Sequence, residues 1–189
     1  KLPNITIINI DAMYYSASNE YIKKEIRQSG RYHLLNKNLN NINYEQLFSN
    51  FTIDYVINFA AQSHVDSSFK DSLKYTSDNI MGTHNLIEGC RLYGKIKKFI
   101  HISTDEVYGE SLFSEDEEKK NEQSILCPTN PYAATKAGAE LIASSYRFSF
   151  KMPIIITRGN NVYGANQYPE KLIPRFIKLL NENKKVTIQ

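Results

Sequence analysis

Short apolar runs alternate with stretches of helical period along nearly the whole chain, and that alternation restricts the fold more than any single motif. Asn4–Ile10 (NITIINI), Asp54–Ala61 (DYVINFAA), KKFIHIS and PIIITR have the length and β-branched content of buried strands, with YHLLNKN a weaker fifth. Phe69–Tyr93, Asn130–Phe150 and KLIPRFIKLL follow a helical period instead. In the first of these, Leu73, Ile80, His84, Ile87 and Leu92 fall on or near one face; in the last, Pro174 fits the first turn. Strands alternating with helices predict an α/β fold, a doubly wound parallel sheet with helices on both faces. Ligands of such sheets bind beyond the carboxyl ends of the strands. Asp11, AAQSH, STDE and RGNN each follow a predicted strand, so all four should gather along one edge. No internal repeat or linker interrupts the series, and the 189 residues read as one domain.

Composition excludes several classes of partner. The 41% hydrophobic and 23% charged residues are those of an ordinary globular protein. A formal net charge of +3, with Lys and Arg scattered among acidic residues, offers no basic face for nucleic acid. The densest charge run, Ser114–Lys120 (SEDEEKK), mixes both signs and reads as a solvated loop. No apolar run is long enough to span a membrane as a helix, and no secretory signal opens the chain. Cys90 and Cys127 lack metal-ligand spacing; they predict free thiols in a reducing, cytoplasmic setting, and no metal site is expected.

Two stretches carry chemistry. The strand FIHIS runs straight into Thr104, Asp105 and Glu106. Adjacent carboxylates repel, and burial makes each charge costly. A solvated turn is the plain explanation. The alternative is acid–base work, because neighbours that repel ionise unequally and so provide one acid and one base. Downstream, Tyr132 and Lys136 stand four residues apart in PYAATK and share a helical face. An ammonium beside a phenol favours phenolate and lowers the Tyr pKa. In a chain with 13 Tyr that spacing alone is commonplace; after a strand ending in STDE it is far more specific.

Taken in order, FAAQSHVDSSF, ISTDEVYGE, NPYAATKAGAE and NNVYGANQYPEKLIP resemble the nucleotide-sugar 4,6-dehydratases of the extended short-chain dehydrogenase family, in particular those acting on dTDP-glucose or UDP-glucose. The resemblance runs through essentially the whole chain. It implies a Rossmann-like sheet, NAD as cofactor and a nucleotide sugar as substrate. It further implies that Tyr132 removes the 4-hydroxyl proton as hydride leaves carbon 4, with Lys136 tuning the phenol and Thr104 sharing its hydrogen bond. Glu106 matches the base that takes the carbon-5 proton, and Asp105 the acid that protonates the departing 6-hydroxyl. Return of hydride to carbon 6 would leave a 4-keto-6-deoxy sugar.

Other residues acquire roles through the same resemblance. Asp11 matches the carboxylate on the adenosine ribose, which favours NAD over NADP, and Ala12 and Met13 follow it. Ala12 stands where the family usually has Lys. Asn38 and Leu39 match the adenine contacts, with Asn38 in place of the usual Asp. Phe59, Ala60, Ala61 and Ser63 match the turn under the cofactor, Ser63 also touching substrate, and Val162 matches a further cofactor contact. His64, in that turn, reads as structural. Asn161, Glu170, Lys171 and Leu172 match contacts to the substrate nucleotide, with Lys171 a partner for its diphosphate. Without the resemblance, Asp11 would be a turn cap, Ala60 and Ala61 core packing, and Glu170–Lys171 a surface pair.

The family opens with a strand and a G-x-x-G-x-x-G turn that cradles the pyrophosphate at a helix N-terminus. Here the resemblance starts at the second strand, so the expectation is an incomplete NAD-binding domain over residues 1–189 that lacks this strand and a C-terminal substrate-binding portion. In the order 3-2-1-4-5-6 the first strand is central, and the 189 residues alone are expected to bind NAD poorly. Full-length members pair as homodimers, which here would use Phe69–Tyr93 and Asn130–Phe150. Rival readings are a 4-epimerase, a UDP-glucuronate decarboxylase, or a non-catalytic NAD or nucleotide-sugar sensor.

Overall fold

The structure, a computed structural model, describes residues 5–110 and 119–187; most of the charge run Ser114–Lys120 lies outside them. Strand β1 (Ile7–Asp11) is followed by helix α1 (Lys24–Arg27), β2 (Tyr32–Asn36), α2 (Tyr44–Asn50) and β3 (Tyr55–Asn58). Then come α3 (Val65–Lys70), α4 (Ser72–Tyr75), a π-helical segment (Thr76–Met81) and α5 (Gly82–Tyr93). The series closes with β4 (Lys98–Thr104), α6 (Pro131–Ser149), β5 (Ile154–Gly159) and α7 (Leu172–Asn181). All five predicted strands form, as does Pro174 within the first turn of α7. The fold is the Rossmann-like α/β arrangement that the alternation of elements predicts.

Hydrogen bonds join β1 to β2, and β3 to β4 to β5. In the second ladder all pairs are parallel, with Phe99 opposite Val56 and Ile154, and Thr104 opposite Gly159. These are the neighbour relations of the doubly wound order, but no described backbone bond bridges β1 to β3. One face of the three-stranded ladder packs on α5 and α6: Ile87 and Phe99 are fully buried, with Leu86, Cys90, Ala143, Met152 and Ile154 around them. Each such large apolar side chain contributes about 1.5–3 kcal/mol. On the opposite face Tyr55, Ile57 and Ile155 are exposed, so helical cover on both faces is not seen within this unit.

The predicted helix Phe69–Tyr93 is interrupted. A π segment widens the helix and shifts the phase of every side chain beyond it. Leu73, before it, is therefore thrown out of phase with Ile87 and lies 82% exposed. Leu92, five residues after Ile87, points roughly 140° away from it and is also exposed. Helix α6 begins where the sequence punctuates it: the Asn130 side chain accepts from the Ala133 N–H at 2.8 Å, and Pro131 occupies the first helical position. Small residues on α6 then allow close approach, and a Cβ on Gly138 would sit 2.8 Å from Ile80.

The chain forms two compact units. The larger holds Ile10–Ala12 and Leu34–Asn160; the smaller holds the described parts of Lys1–Asn9, Met13–His33 and Asn161–Gln189. In the smaller unit the Tyr15 hydroxyl donates to the Glu170 carboxylate at 3.0 Å, and the Tyr15 ring meets Tyr168 edge-on.

Candidate active site

Strand β4 delivers Thr104 to the carboxyl edge of the ladder, and the chain at once tightens into a 3-10 turn, Asp105–Tyr108. The Thr104 hydroxyl caps that turn by accepting from the Glu106 N–H at 3.3 Å, and donates to Asp105 at 3.2 Å. Gly109 ends the turn with φ +86°, and a Cβ there would lie 2.3 Å from the Cys127 carbonyl oxygen. The Cys127 N–H in turn donates to the Val107 carbonyl at 2.9 Å. Val107 is fully buried while Asp105 and Glu106 are half-buried, so the turn is anchored by its core residue and presents its acids outward. The two acids engage different partners. Asp105 is bound to Thr104, whereas Glu106 accepts from the Asn130 side chain at 3.2 Å.

Helix α6 brings Tyr132 and Lys136 to the same place from its first turns, both buried. Burial pushes the Tyr132 phenol up to about 12, aided by the charges of Glu106 and then Asp105; the Thr104 hydroxyl, lying against it, pulls the other way. The spacing of Tyr132 and Lys136 predicts a lowered phenol instead. The difference has a local cause: the Lys136 ammonium donates to the Ile102 carbonyl at 2.6 Å, and burial outweighs its influence. Burial also brings Lys136 down to about 8, with Glu140 one turn along the helix opposing that shift. Lys136 is thus a cation at neutral pH.

Beneath Lys136 lies a buried polar row. His101 is fully buried, its Nδ1 lies 3.3 Å from the Asn58 amide, and that amide donates to Thr83 at 3.0 Å. Burial, with the Lys136 charge second, lowers the His101 pKa from 6.5 to about 3. Between these values the unfolded chain binds a proton that the folded chain refuses, so stability should fall as pH drops through 6.5. The loss between about pH 7 and pH 5 should be about 2 kcal/mol. Urea unfolding at the two pH values measures it; a His101→Gln variant should show a flatter dependence, and an unchanged slope would assign the effect to other groups.

Most residues matched to cofactor contacts lie on neighbouring turns of the larger unit. Asp11 ends β1 and Ala12 follows it, both half-buried. Asn38 donates to Asp78 at 2.7 Å and accepts from the Asn40 N–H at 2.9 Å, so its amide is engaged at both ends. The Leu39 side chain is 7% exposed within the core cluster, which leaves its backbone as the part that faces outward contacts. In the turn after β3, Ala60 and Ala61 are half-buried, while Phe59 and Ser63 are exposed. His64 caps α3 by accepting from the Ser67 N–H, the structural role expected of it. Met13, Asn161, Val162, Glu170, Lys171 and Leu172 belong to the smaller unit. There Lys171 caps α7 through its backbone, and Asn161, Val162 and Leu172 are exposed.

Asn79 and Asp78 are missing from the sequence reading. Asn79, 1% exposed in the π segment, accepts from the Gln62 N–H at 2.7 Å and donates to the Gln62 carbonyl and the Thr135 hydroxyl. Thr135 donates to the Tyr132 carbonyl at 2.7 Å, so Asn79 joins the turn after β3 to the first turn of α6. Asp78 accepts from both Asn38 and Gln62, at 2.7 and 2.9 Å. An Asp-Asn pair directly before apolar Ile80 and Met81 in a helical stretch, DNIMGTHNL, is the available signal. Among the described residues no cluster of His, Cys, Asp and Glu could hold a metal ion, and no helix is long and apolar enough to cross a membrane.

A parallel sheet that carries Thr104 at the end of a central strand, opposite a Tyr and a Lys four apart on the next helix, defines the short-chain dehydrogenase class. Within it, the chain belongs to the GDP-mannose 4,6 dehydratase family, whose model matches residues 3–189. It is 56% identical over 151 residues to a dTDP-D-glucose 4,6-dehydratase of Dictyostelium discoideum, covering 76% of this chain and 35% of that protein. A trifunctional UDP-glucose 4,6-dehydratase/UDP-4-keto-6-deoxy-D-glucose 3,5-epimerase/UDP-4-keto-L-rhamnose-reductase of Arabidopsis thaliana is 46% identical over 181 residues, covering 95% of this chain and 25% of that one. Among solved structures, the dTDP-glucose 4,6-dehydratase DesIV of Streptomyces venezuelae, with NAD and TYD bound, superposes with a TM-score of 0.83 at 33% identity. That match covers 96% of this chain and 54% of DesIV, so the chain spans about half the length of its solved relative.

Proposed function

We propose that the protein of which these 189 residues form part is an NAD-dependent nucleotide-sugar 4,6-dehydratase, acting on dTDP-glucose or UDP-glucose. The observation that carries this reading is the meeting of the acidic turn with the head of α6: Thr104 caps the turn that holds Asp105 and Glu106, Asn130 just before Tyr132 donates to Glu106, and Lys136 donates to the Ile102 carbonyl on β4. A 4-epimerase needs Thr104, Tyr132 and Lys136 but has no use for an acid pair beside them. The residues present fit a dinucleotide. Asp11 ends a strand where a ribose hydroxyl would need an acceptor, small Ala60 and Ala61 permit close backbone approach, and Lys136 offers a buried cation.

When bound, NAD supplies a positive ring that favours the phenolate and an acceptor for hydride from carbon 4, later returned to carbon 6. Tyr132 takes the 4-hydroxyl proton, and Thr104 steadies the developing phenolate–hydroxyl contact. Glu106, steered by Asn130, then removes the carbon-5 proton, which the new ketone has made acidic. Asp105 gives its proton to the 6-hydroxyl, which departs as water. After reduction at carbon 6, Glu106 returns a proton to carbon 5. The proton that Tyr132 took replaces, through solvent, the one that Asp105 gave, so the sugar leaves as its 4-keto-6-deoxy form with the net loss of one water.

In this reading the 189 residues are part of an NAD-binding domain that carries the catalytic groups, working in the cytoplasm. Met13, Asn38, Leu39, Phe59, Ser63 and Val162 are proposed cofactor contacts. Ser63, Asn161, Glu170, Lys171 and Leu172 are proposed substrate contacts. A homodimer is supported by Leu73, Leu141 and Phe148, which are 82%, 61% and 63% exposed on the helices expected to pair. The test is to incubate the full-length protein with dTDP-glucose and UDP-glucose and follow the alkali-induced absorbance of a 4-keto-6-deoxy product. Product from one or both sugars is expected; none from either would reject the reading.

A further inference from the structure

We propose that Arg158, through Tyr108, is a positioning residue for the water-eliminating half of the reaction, holding the acidic turn in place while leaving the Tyr132 phenol alone. This rests on the dehydratase reading above. Arg158 lies near the end of β5, and its guanidinium reaches two elements at once. Toward α6, Nε donates to both Glu140 oxygens at 2.9 and 3.1 Å, and Nη2 donates to Glu140 Oε1. Toward the acidic turn, Nη1 donates to the Tyr108 hydroxyl at 2.7 Å and to the Glu122 carbonyl at 3.2 Å. The guanidinium carbon also stands 4.8 Å from the centre of the Tyr108 ring.

The placement of the partners gives this fork its meaning. Tyr108 is the last residue of the turn that carries Asp105 and Glu106, and Glu140 sits one helical turn beyond Lys136. The Glu140 side chain is 3% exposed and that of Arg158 16%. A buried ion pair is close to break-even in stability against an apolar pair of similar size. What a planar guanidinium supplies in addition is direction, since its donors are fixed in angle. The start of the turn is fixed by the β4–β5 ladder at Thr104 and Gly159 and its middle by buried Val107 and the Cys127 bond, so Arg158 adds the side-chain hold on Tyr108 at its far end. Tyr132, by contrast, is held by the Asn130 cap and by Thr135, neither of which touches Arg158. Loosening Arg158 or Tyr108 should therefore displace the acids more than the phenol, and a displacement near 1 Å costs about 100-fold in rate.

The test uses the full-length protein with Tyr108→Phe, which keeps the ring and removes the hydroxyl, and Arg158→Lys, which keeps the charge and loses the fork. Two readouts are taken. In single turnovers, oxidation at carbon 4 should proceed at nearly the original rate, while water loss slows about 10- to 100-fold; the absorbance of reduced nicotinamide then builds up before it decays. In amide hydrogen exchange without substrate, residues 104–109 should exchange faster in Tyr108→Phe, and residues 131–149 should not change. Equal slowing of both half-reactions, or unchanged exchange at 104–109, overturns the proposal. If the unsubstituted protein forms no keto sugar, the dehydratase reading fails, and the exchange data alone still decide whether Arg158 holds the turn.

Discussion

Tyr132→Phe in the full-length protein is expected to lower kcat by about 10²- to 10⁴-fold, the usual contribution of a positioned acid or base. Steady-state kinetics measures it, with binding of the nucleotide sugar followed separately by calorimetry. The substitution removes one oxygen from a buried ring on a helix that is anchored elsewhere by Asn130 and Thr135, so the fold and the sugar affinity should be kept. The phenol lies near 12 as it stands, held there by burial and two neighbouring carboxylates. A bound nicotinamide would offset that with its own charge, so in the complete complex the limb on which kcat rises with pH should end below 12. A sensor that merely binds these ligands would keep its response in this variant, and undiminished turnover would remove Tyr132 from the chemistry.

The second large effect is expected from Asp105→Asn. The amide is close to the carboxyl in shape, and its oxygen still accepts from Thr104 as Asp105 does at 3.2 Å. It has no proton to give the departing hydroxyl. Oxidation at carbon 4 should therefore survive while water loss slows by about 10²- to 10⁴-fold. Stopped-flow absorbance should show reduced nicotinamide accumulating in the variant and not in the parent. Turnover equal to the parent's would place the departing proton on some other group. This separation is available because Asp105 and Glu106 have different partners: exchanging one carboxylate does not unhook the other from Asn130.

How legible these features were depended on their range. The alternation of strands and helices is a local property, and β1 to β5 and α6 formed where the residues placed them, with Asn130–Pro131 marking the start of α6. The grouping of STDE with PYAATK was legible only through the resemblance, since nothing in either stretch points to the other. The π segment was illegible, because one residue's shift in phase is invisible in an apolar pattern until a partner fixes it. Here the partner is Gln62, 17 residues away from Asn79. Arg158 and Tyr108 are 50 residues apart, and as single residues both look like ordinary surface choices. The Tyr132 phenol moved opposite to the expectation because burial is a property of the packed helix, not of the spacing to Lys136. The surroundings of Leu39 and Asn38 were illegible for a similar reason: one side chain packs in the core and the other donates to Asp78, 40 residues away.

The two thiols have opposite surroundings. Cys90 is sealed in the core with its pKa raised to about 12, whereas Cys127 is exposed, its carbonyl pressed under Gly109 at the end of the acidic turn. Within these 189 residues, a maleimide dye should therefore attach at one address without any engineering. A fluorophore tethered there would stand a few residues' breadth from the acids, placed to show through its brightness whether the proposed nucleotide sugar enters.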